Sequence, residues 1–296
     1  MASKKQLAQN ILLVVIALAL IAGFTVLFDP FNIFGTNGAP TDEDSVSVPI
    51  LMYHHFADEG APETIIPAEM FEAQIKALCD VGYTALSFDE LCGYVYQGAP
   101  LPERPIIITI DDGYMSVYET AFPILQKYGM NATVFIIGVS HGKDHYKDTP
   151  NPIIPRFGDA EAVEMSRSGV LSIQSHSYDM HQHEPYETGP FRKGVLQMDG
   201  ESKDEYVRAF KADFESAAAQ IEAMLGERPF VFSYPFGVSN DMTDGLLRDM
   251  GVKVTLTIAK GLNTVLRGAP ESLFSLNRFN VPGDMPPEEL LAMIDH

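Results

Sequence analysis

Positive charge is scarce in this sequence: 20 lysines and arginines stand against 40 aspartates and glutamates, a formal net charge of −20. Such a surface repels phosphates, so nucleic acid is excluded as a partner. Beyond that, the acidity marks only a soluble, charged surface. Cysteine is scarcer still. Cys79 and Cys92 are the only two, too few for a disulfide framework and without zinc-ligand spacing. They fall in successive helical segments, and either form one disulfide or remain two buried thiols. Low-complexity tracts are absent, and no repeat of about 20 to 50 residues is visible, against a repeat architecture. With 46% hydrophobic residues over 296 positions, the chain can bury a sizeable core in one large or two small domains.

One long apolar run is present. Ile11 to Phe28 is 18 residues without a charge, preceded by Lys4 and Lys5 and followed by Asp29. As a helix rising about 1.5 Å per residue it reaches roughly 27 Å, close to the hydrocarbon thickness of a bilayer. Lysines on that flank put the N-terminus in the cytoplasm and the remainder outside. Residues 1–28 are therefore expected to be a cytoplasmic tip and transmembrane signal-anchor of a single-pass cell-membrane protein. The alternative is a signal peptide cleaved at Ala17-Leu18-Ala19, giving a secreted protein. Only Ile11 to Ile16 precede that triplet, which is short for the apolar core of a signal peptide. Residues 29–47, rich in Gly, Pro, Asn and Asp, read as an extracellular tether, and 48–296 as the domain it carries.

From Val48 onward short apolar runs alternate with helical stretches. Strands are expected at 48–53, 83–87, 105–110, 132–137, 170–175, 229–234 and 252–258. Helices are expected at 67–82, 88–98, 115–128, 159–168, 202–226, 241–250 and 286–294. In the first helix Phe71, Ile75 and Leu78 share one face, and Ser202 with Glu205 has the spacing of a capping box. This alternation implies parallel strands with helical crossovers, hence an α/β sheet or barrel. Catalytic residues in such folds gather at the C-terminal ends of the strands.

Four polar clusters sit just past expected strand ends: "YHH" (53–55), "DDG" (111–113), "SHSYDMH" (175–181) and "YPFG" (234–237). Each alone has a bland reading, a hydrogen-bonded histidine or a turn. In a parallel sheet all four share one rim, and metal chemistry accounts for the set. His176 and His181 with one carboxylate make a two-histidine, one-carboxylate group that leaves a position for water. A cation there lets both adjacent aspartates stay ionised, one as ligand and one as a base toward the water. His183, Tyr178 and Asp179 are read as shaping the loop, and Met115 and Met130 as packing.

These motifs resemble the polysaccharide deacetylase family, carbohydrate esterase family 4, with its nodulation-protein-B-like domain. The similarity runs from about Val48 to about Pro282 through "VPILMYHH", "IIITIDDGY", "FPILQKYGMNATVFIIG", "SHSYDMH" and "FSYPFG". The resemblance implies a distorted (β/α) barrel with fewer than eight strands. It also implies divalent-metal deacetylation of carbohydrate, with Zn²⁺ the expected metal and Co²⁺ or Ni²⁺ as alternatives. By the same resemblance Asp111 is the catalytic base, and Asp112, His176 and His181 hold the metal.

The sequence also departs from the family pattern. Its two motif histidines are five apart rather than four, there is no tryptophan for the tryptophan motif, and no C-terminal Leu-x-His supplies the general acid. The poly-N-acetylglucosamine deacetylase branch is similar in the histidine spacing and in "YHH", which points to His54 as the acid. Phe232 stands where the family carries an arginine, and Arg278 in "SLNRFNV" is the candidate to steady Asp111 instead. Tyr234, Pro235 and Phe236 are candidates for the oxyanion and substrate contacts, Phe236 through its backbone N–H. The expected reaction is N-acetyl hydrolysis on an N-acetylglucosamine-containing surface polysaccharide. An O-acetyl esterase and an inactive glycan-binding homologue are the alternatives.

Overall fold

The structure is a computed structural model and describes residues 44–182, 186–187 and 190–295. The expected transmembrane helix and residues 29–43 of the tether lie outside the described residues. Among the described residues no helix is long and apolar enough to cross a membrane.

In chain order the elements begin with β1 (Ser45–Val48), β2 (Ile50–Tyr53), β3 (His55–Phe56), β4 (Ile65–Ile66), α1 (Ala68–Asp80), β5 (Thr84–Ala85) and α2 (Phe88–Gln97). Next come β6 (Pro105–Asp112), α3 (Phe122–Tyr128), β7 (Ala132–Ile136), α4 (Asp159–Arg167), β8 (Leu171–Ser175) and α5 (Lys203–Leu225). The last are β9 (Val231–Ser233), α6 (Asp241–Asp249), β10 (Val254–Leu256), β11 (Asn263–Leu266), β12 (Phe279–Asn280) and α7 (Pro287–Ile294). Local chemistry explains the helix bounds. The Ser202–Glu205 capping box starts α5, and Gly226 at φ 82° ends it, a conformation that costs glycine little.

The main sheet is a parallel row in the order β10-β9-β8-β7-β6-β2-β12, with β5 paired to the first residues of β6. A parallel bridge between Leu256 and Leu276 connects the far ends. Leu276 donates to the Thr255 carbonyl and Thr257 donates to the Leu276 carbonyl, at 2.8 and 2.9 Å. The row of seven is thus curled, in keeping with a distorted (β/α) barrel. β6 is buried along nearly its whole length, as a central parallel strand covered on both faces must be. Outside it, α1 places Phe71, Ile75 and Leu78 in one apolar cluster with Leu51, Ile108 and Ile110 of the sheet and Leu290 of α7. Burying each such side chain fully stabilises the fold by about 1.5–3 kcal/mol.

Several short elements differ from expectation. The end of the stretch read as tether, from Ser45, already belongs to β1, which pairs antiparallel with β11. The single strand expected over 48–53 is two, because Pro49 between them has no N–H to donate to a ladder. β3, β4, β11 and β12 hold two to four residues each, too few for an alternation pattern to show. Cys79 and Cys92 are both free thiols.

Candidate metal centre and catalytic cleft

Because β9, β8, β7, β6 and β2 are parallel neighbours, their C-terminal ends form one rim. A cleft of about 520 Å³ opens there, lined by His54, Asp111, Asp112, His176, His181, Tyr234 and Phe236 among others. Pro235 is buried within the turn that carries Phe236. The chain is strained at this rim. Asp112, Ser177 and Phe236 have φ of 75°, 73° and 57°, left-handed values that cost a non-glycine residue of the order of 1–3 kcal/mol each. Gly113, at φ 68° directly after Asp112, adopts the same region at little cost.

Asp111 is 2% exposed and Arg278 is fully buried. Arg278 Nη1 donates to Asp111 Oδ1 and Nη2 to Oδ2, both at 2.8 Å. Its remaining donors reach Ser233 Oγ at 2.9 Å, Thr109 Oγ1 at 3.2 Å and the Thr257 carbonyl at 2.8 Å. A guanidinium held this way offers the carboxylate a planar two-point grip. Burial pushes the Asp111 pKa upward, but the Arg278 charge outweighs it with help from His176, holding the carboxyl below the usual range.

Asp112 is built oppositely. Its Oδ1 is buried with no hydrogen-bond partner. It lies 3.7 Å from His176 Nε2 and 3.8 Å from His181 Nε2. Burial again pushes the pKa up, and the charges of His181, Arg156, His54 and His176 hold it well below the carboxylate range. His176 Nδ1 donates to the Ser233 carbonyl at 2.7 Å. That bond fixes the tautomer and turns the Nε2 lone pair toward Asp112. The ligand atoms of Asp112, His176 and His181 all lie within 4.8 Å of one another. Ligand atoms about 2.0–2.2 Å from a tetrahedral ion stand about 3.4 Å apart, so an orphaned buried oxygen facing two imidazole nitrogens fits a divalent cation.

The loop between the histidines is held from α5, by a residue that sequence reasoning passed over. Asp213 accepts the Tyr178 N–H at 2.8 Å and the Asp179 N–H at 2.7 Å. Burial pushes its carboxyl up to about 6, against those two hydrogen bonds. A faint signal was available: Phe210, Asp213, Phe214 and Ala217 follow helical i, i+3, i+4, i+7 spacing, so a carboxylate occupies an apolar stripe. Gly138 supports the same loop, donating to the Ser177 carbonyl at 3.0 Å. A Cβ there would meet the Tyr178 ring at 2.5 Å. Tyr178 and Asp179 thus shape the loop as expected, Asp179 also pairing with Lys147 at 2.9 Å. His183 lies outside the described residues.

The two neighbouring histidines diverge. His54 lines the cleft, with its buried Nδ1 lacking a hydrogen-bond partner. His55 turns away: its Nδ1 meets Ser116 Oγ at 2.7 Å and its ring packs on Tyr114. Phe232, in the place of the family arginine, is buried against Phe214 and Tyr234. Tyr234 itself is tied by its hydroxyl to Asp244 at 2.7 Å.

A curled parallel α/β sheet with a two-histidine, one-carboxylate group and a second, arginine-paired carboxylate at its rim is the arrangement that metal-assisted hydrolysis needs. Residues 98–255 match the family model for polysaccharide deacetylase, and the chain belongs to that family. Among relatives, YxkH of Bacillus subtilis strain 168 is 27% identical, over 86% of this chain and 78% of that protein. The poly-beta-1,6-N-acetyl-D-glucosamine N-deacetylase of Escherichia coli K12 is 24% identical over 72% of this chain. The match spans only 34% of that longer protein. The solved structure of IcaB from Ammonifex degensii shares the fold, with a TM-score of 0.67 and 24% identity over 85% of this chain and all of that one.

Proposed function

We propose that this chain removes N-acetyl groups from an N-acetylglucosamine-containing polysaccharide outside the cell. The observation that carries the reading is the contrast at the rim. One carboxylate is saturated by Arg278, while its neighbour faces two histidines with an unpartnered oxygen. The E. coli relative, named for this reaction on poly-beta-1,6-N-acetyl-D-glucosamine, supports the choice of substrate.

Asp112, His176 and His181 would hold the divalent cation, with Zn²⁺ preferred and Co²⁺ or Ni²⁺ as alternatives. Bound there, a cation supplies Lewis acidity toward the acetyl carbonyl and lowers the pKa of a water. Asp111, kept ionised by Arg278, accepts the proton that the water gives up as its oxygen adds to the carbonyl carbon. The backbone N–H of Phe236 donates to the oxygen on which negative charge develops. His54, protonated, delivers a proton to the departing nitrogen as the carbon–nitrogen bond breaks. The products are acetate and a free amino sugar.

Anchoring by residues 1–28, with residues 29–43 leading to the domain, would hold the enzyme beside a polymer made or displayed at the cell surface. Protease applied to intact cells should then remove the domain. Its protection until lysis would reverse the proposed orientation.

Acetate release from a panel of chitooligosaccharide, poly-N-acetylglucosamine, peptidoglycan and acetylxylan tests the reading. Release from an N-acetylglucosamine polymer, abolished by chelation and restored by Zn²⁺ or Co²⁺, is expected. Release from acetylxylan alone would make the chain an O-acetyl esterase, and release from none an inactive homologue.

A further inference from the structure

Arg156 belongs to none of the sequence motifs, yet it holds the chain around Asp112 through both backbone and side chain. Residues 155–157 run antiparallel to 113–115, bridged at Tyr114 and Arg156. The Met115 N–H donates to the Pro155 carbonyl at 2.8 Å, and the Phe157 N–H to the Gly113 carbonyl at 3.2 Å. The Arg156 guanidinium lies 3.6 Å from the centre of the Tyr114 ring, and its Nη1 donates to the Asp112 carbonyl at 3.0 Å. The clamp is itself anchored. The Arg156 N–H donates to the Lys143 carbonyl and the Gly142 N–H to the Phe157 carbonyl, both at 2.9 Å, and Phe157 is fully buried.

We infer that Arg156 is a positioning residue for the metal centre, holding Asp112 in the backbone conformation that aims its carboxylate at His176 and His181. The inference rests on the proposed metal centre and adds a residue that acts on it through Asp112. Asp112 ends β6 with φ 75°. A non-glycine residue keeps such a conformation only where its surroundings over-determine it, and the Arg156 bond falls on the carbonyl of that very residue. Rotation of φ back toward the extended region would swing the Asp112 Cβ, and with it Oδ1, away from the two imidazoles. Arg156 also leaves its Nε buried with no acceptor. That cost fits a guanidinium placed for Asp112 and Tyr114 rather than for its own hydrogen bonds.

Charge works in the other direction. The guanidinium is close enough to act on the Asp112 carboxyl, and one cation repels another. By charge alone Arg156 weakens cation binding; by geometry it strengthens it. The two accounts predict opposite signs for its removal, and geometry is expected to win because a misdirected ligand is lost outright.

The test uses the full chain stripped of metal, with Zn²⁺ affinity read by competition against a chromophoric chelator. Arg156→Met keeps an unbranched stem against Tyr114 but gives up the bond to Asp112 and the charge. Its Zn²⁺ Kd should rise about tenfold or more, as for other groups that orient ligands. Arg156→Lys keeps the charge and loses the planar, stacked fork. It should also bind Zn²⁺ more weakly than the parent, by a smaller factor. The visible absorption of bound Co²⁺, which reports ligand geometry, should differ from the parent's in both variants. Unchanged or tighter Zn²⁺ binding by a folded Arg156→Met would overturn the inference, tighter binding being the mark of charge alone. A Co²⁺ spectrum identical to the parent's would overturn it too, leaving Arg156 a purely structural clamp. If circular dichroism shows that Arg156→Met does not fold, Arg156→Lys decides on the same two readouts. A parent chain that binds neither ion defeats the metal centre itself, a result separate from variants that bind as the parent does.

Discussion

Asp111 and Asp112 are consecutive in β6, yet they belong to two differently built halves of the rim. The Asp111 half is made by the sheet. Arg278 reaches it from the segment before β12, and Thr109 of β6, Ser233 of β9 and the Thr257 carbonyl just after β10 complete the arginine's partners. The Asp112 half is made by a loop, with His176 at the end of β8, His181 five residues on, and Asp213 gripping the backbone between them. In the first half every charge is answered within the protein. In the second a carboxylate oxygen is left without a partner. Like charges side by side are disfavoured in a buried strand; here Arg278 acts on Asp111, His181 and Arg156 act on Asp112, and His176 and His54 act on both. The contrast teaches a division of labour: a self-contained carboxylate, the base of the proposed reaction, beside a set of donors that a cation would complete.

The largest effect should come from emptying the loop half. His176→Ala is expected to lower metal content to background by elemental analysis, and activity by ~10³-fold or more, the equivalent of several kcal/mol of lost transition-state stabilisation. A variant retaining full metal and activity would dissolve the division of labour.

Breaking the sheet half should act differently. Arg278→Met leaves a buried carboxylate unpaired, which costs about 3–5 kcal/mol of stability by denaturant titration. Metal content in the folded fraction should stay close to the parent's. The sign of the pH effect follows from the causes of the Asp111 shift. Burial raises its pKa and Arg278 lowers it, so without the arginine the pKa rises. The acidic limb of kcat/KM then moves to higher pH. Arg278→Lys keeps the charge without the two-point grip and should fall between. An acidic limb that does not move in either variant would mean that Asp111 is not the base.

The two histidines after β2 refine the comparison on a third side of the cleft. His54→Ala should reduce kcat by ~10²–10⁴, the usual worth of general acid–base catalysis, with metal content kept. An acetyl ester with a good leaving group needs no proton there and should lose far less. His55→Ala gives up the bond to Ser116 and about 1 kcal/mol of stability, and should retain most activity. Greater damage from His55→Ala than from His54→Ala would reverse the assignment.

How much of this could be read from the chain differs between the halves for a physical reason. "DDG" and "SHSYDMH" carry their chemistry within a few consecutive residues, so the ligand candidates were legible before any fold. Strand–helix alternation gave the parallel sheet, and the Ser202 capping box marked the start of α5 almost to the residue. Arg278 was legible only as a candidate, since 167 positions separate it from Asp111 and a curled sheet alone brings them together. β1 and β11 were not legible, because four-residue strands carry little periodicity. Asp213 was missed because it binds peptide N–H groups, and no side-chain motif records such a partner.

Asp213 offers the smallest and most discriminating prediction. Its folded pKa, pushed up to about 6, exceeds the unfolded value of about 3.9. The native state therefore binds its proton more tightly than the unfolded chain. The resulting contribution to stability is fully present below about pH 4 and is lost as pH rises through about 6, an effect of the order of 3 kcal/mol. Asp213→Asn cannot ionise, so its stability should lack this decline between pH 4 and 6. Its amide oxygen can still accept one or both loop N–H groups, but without the charge. Loosened, the loop should hold His181 less well, and metal affinity by calorimetry at pH 7 should fall about tenfold, at the low end for groups that orient ligands. A purely structural carboxylate would change the stability profile and leave metal affinity where it was. Weaker metal binding together with the flattened profile would show that the loop half depends on a grip the sheet half does not need.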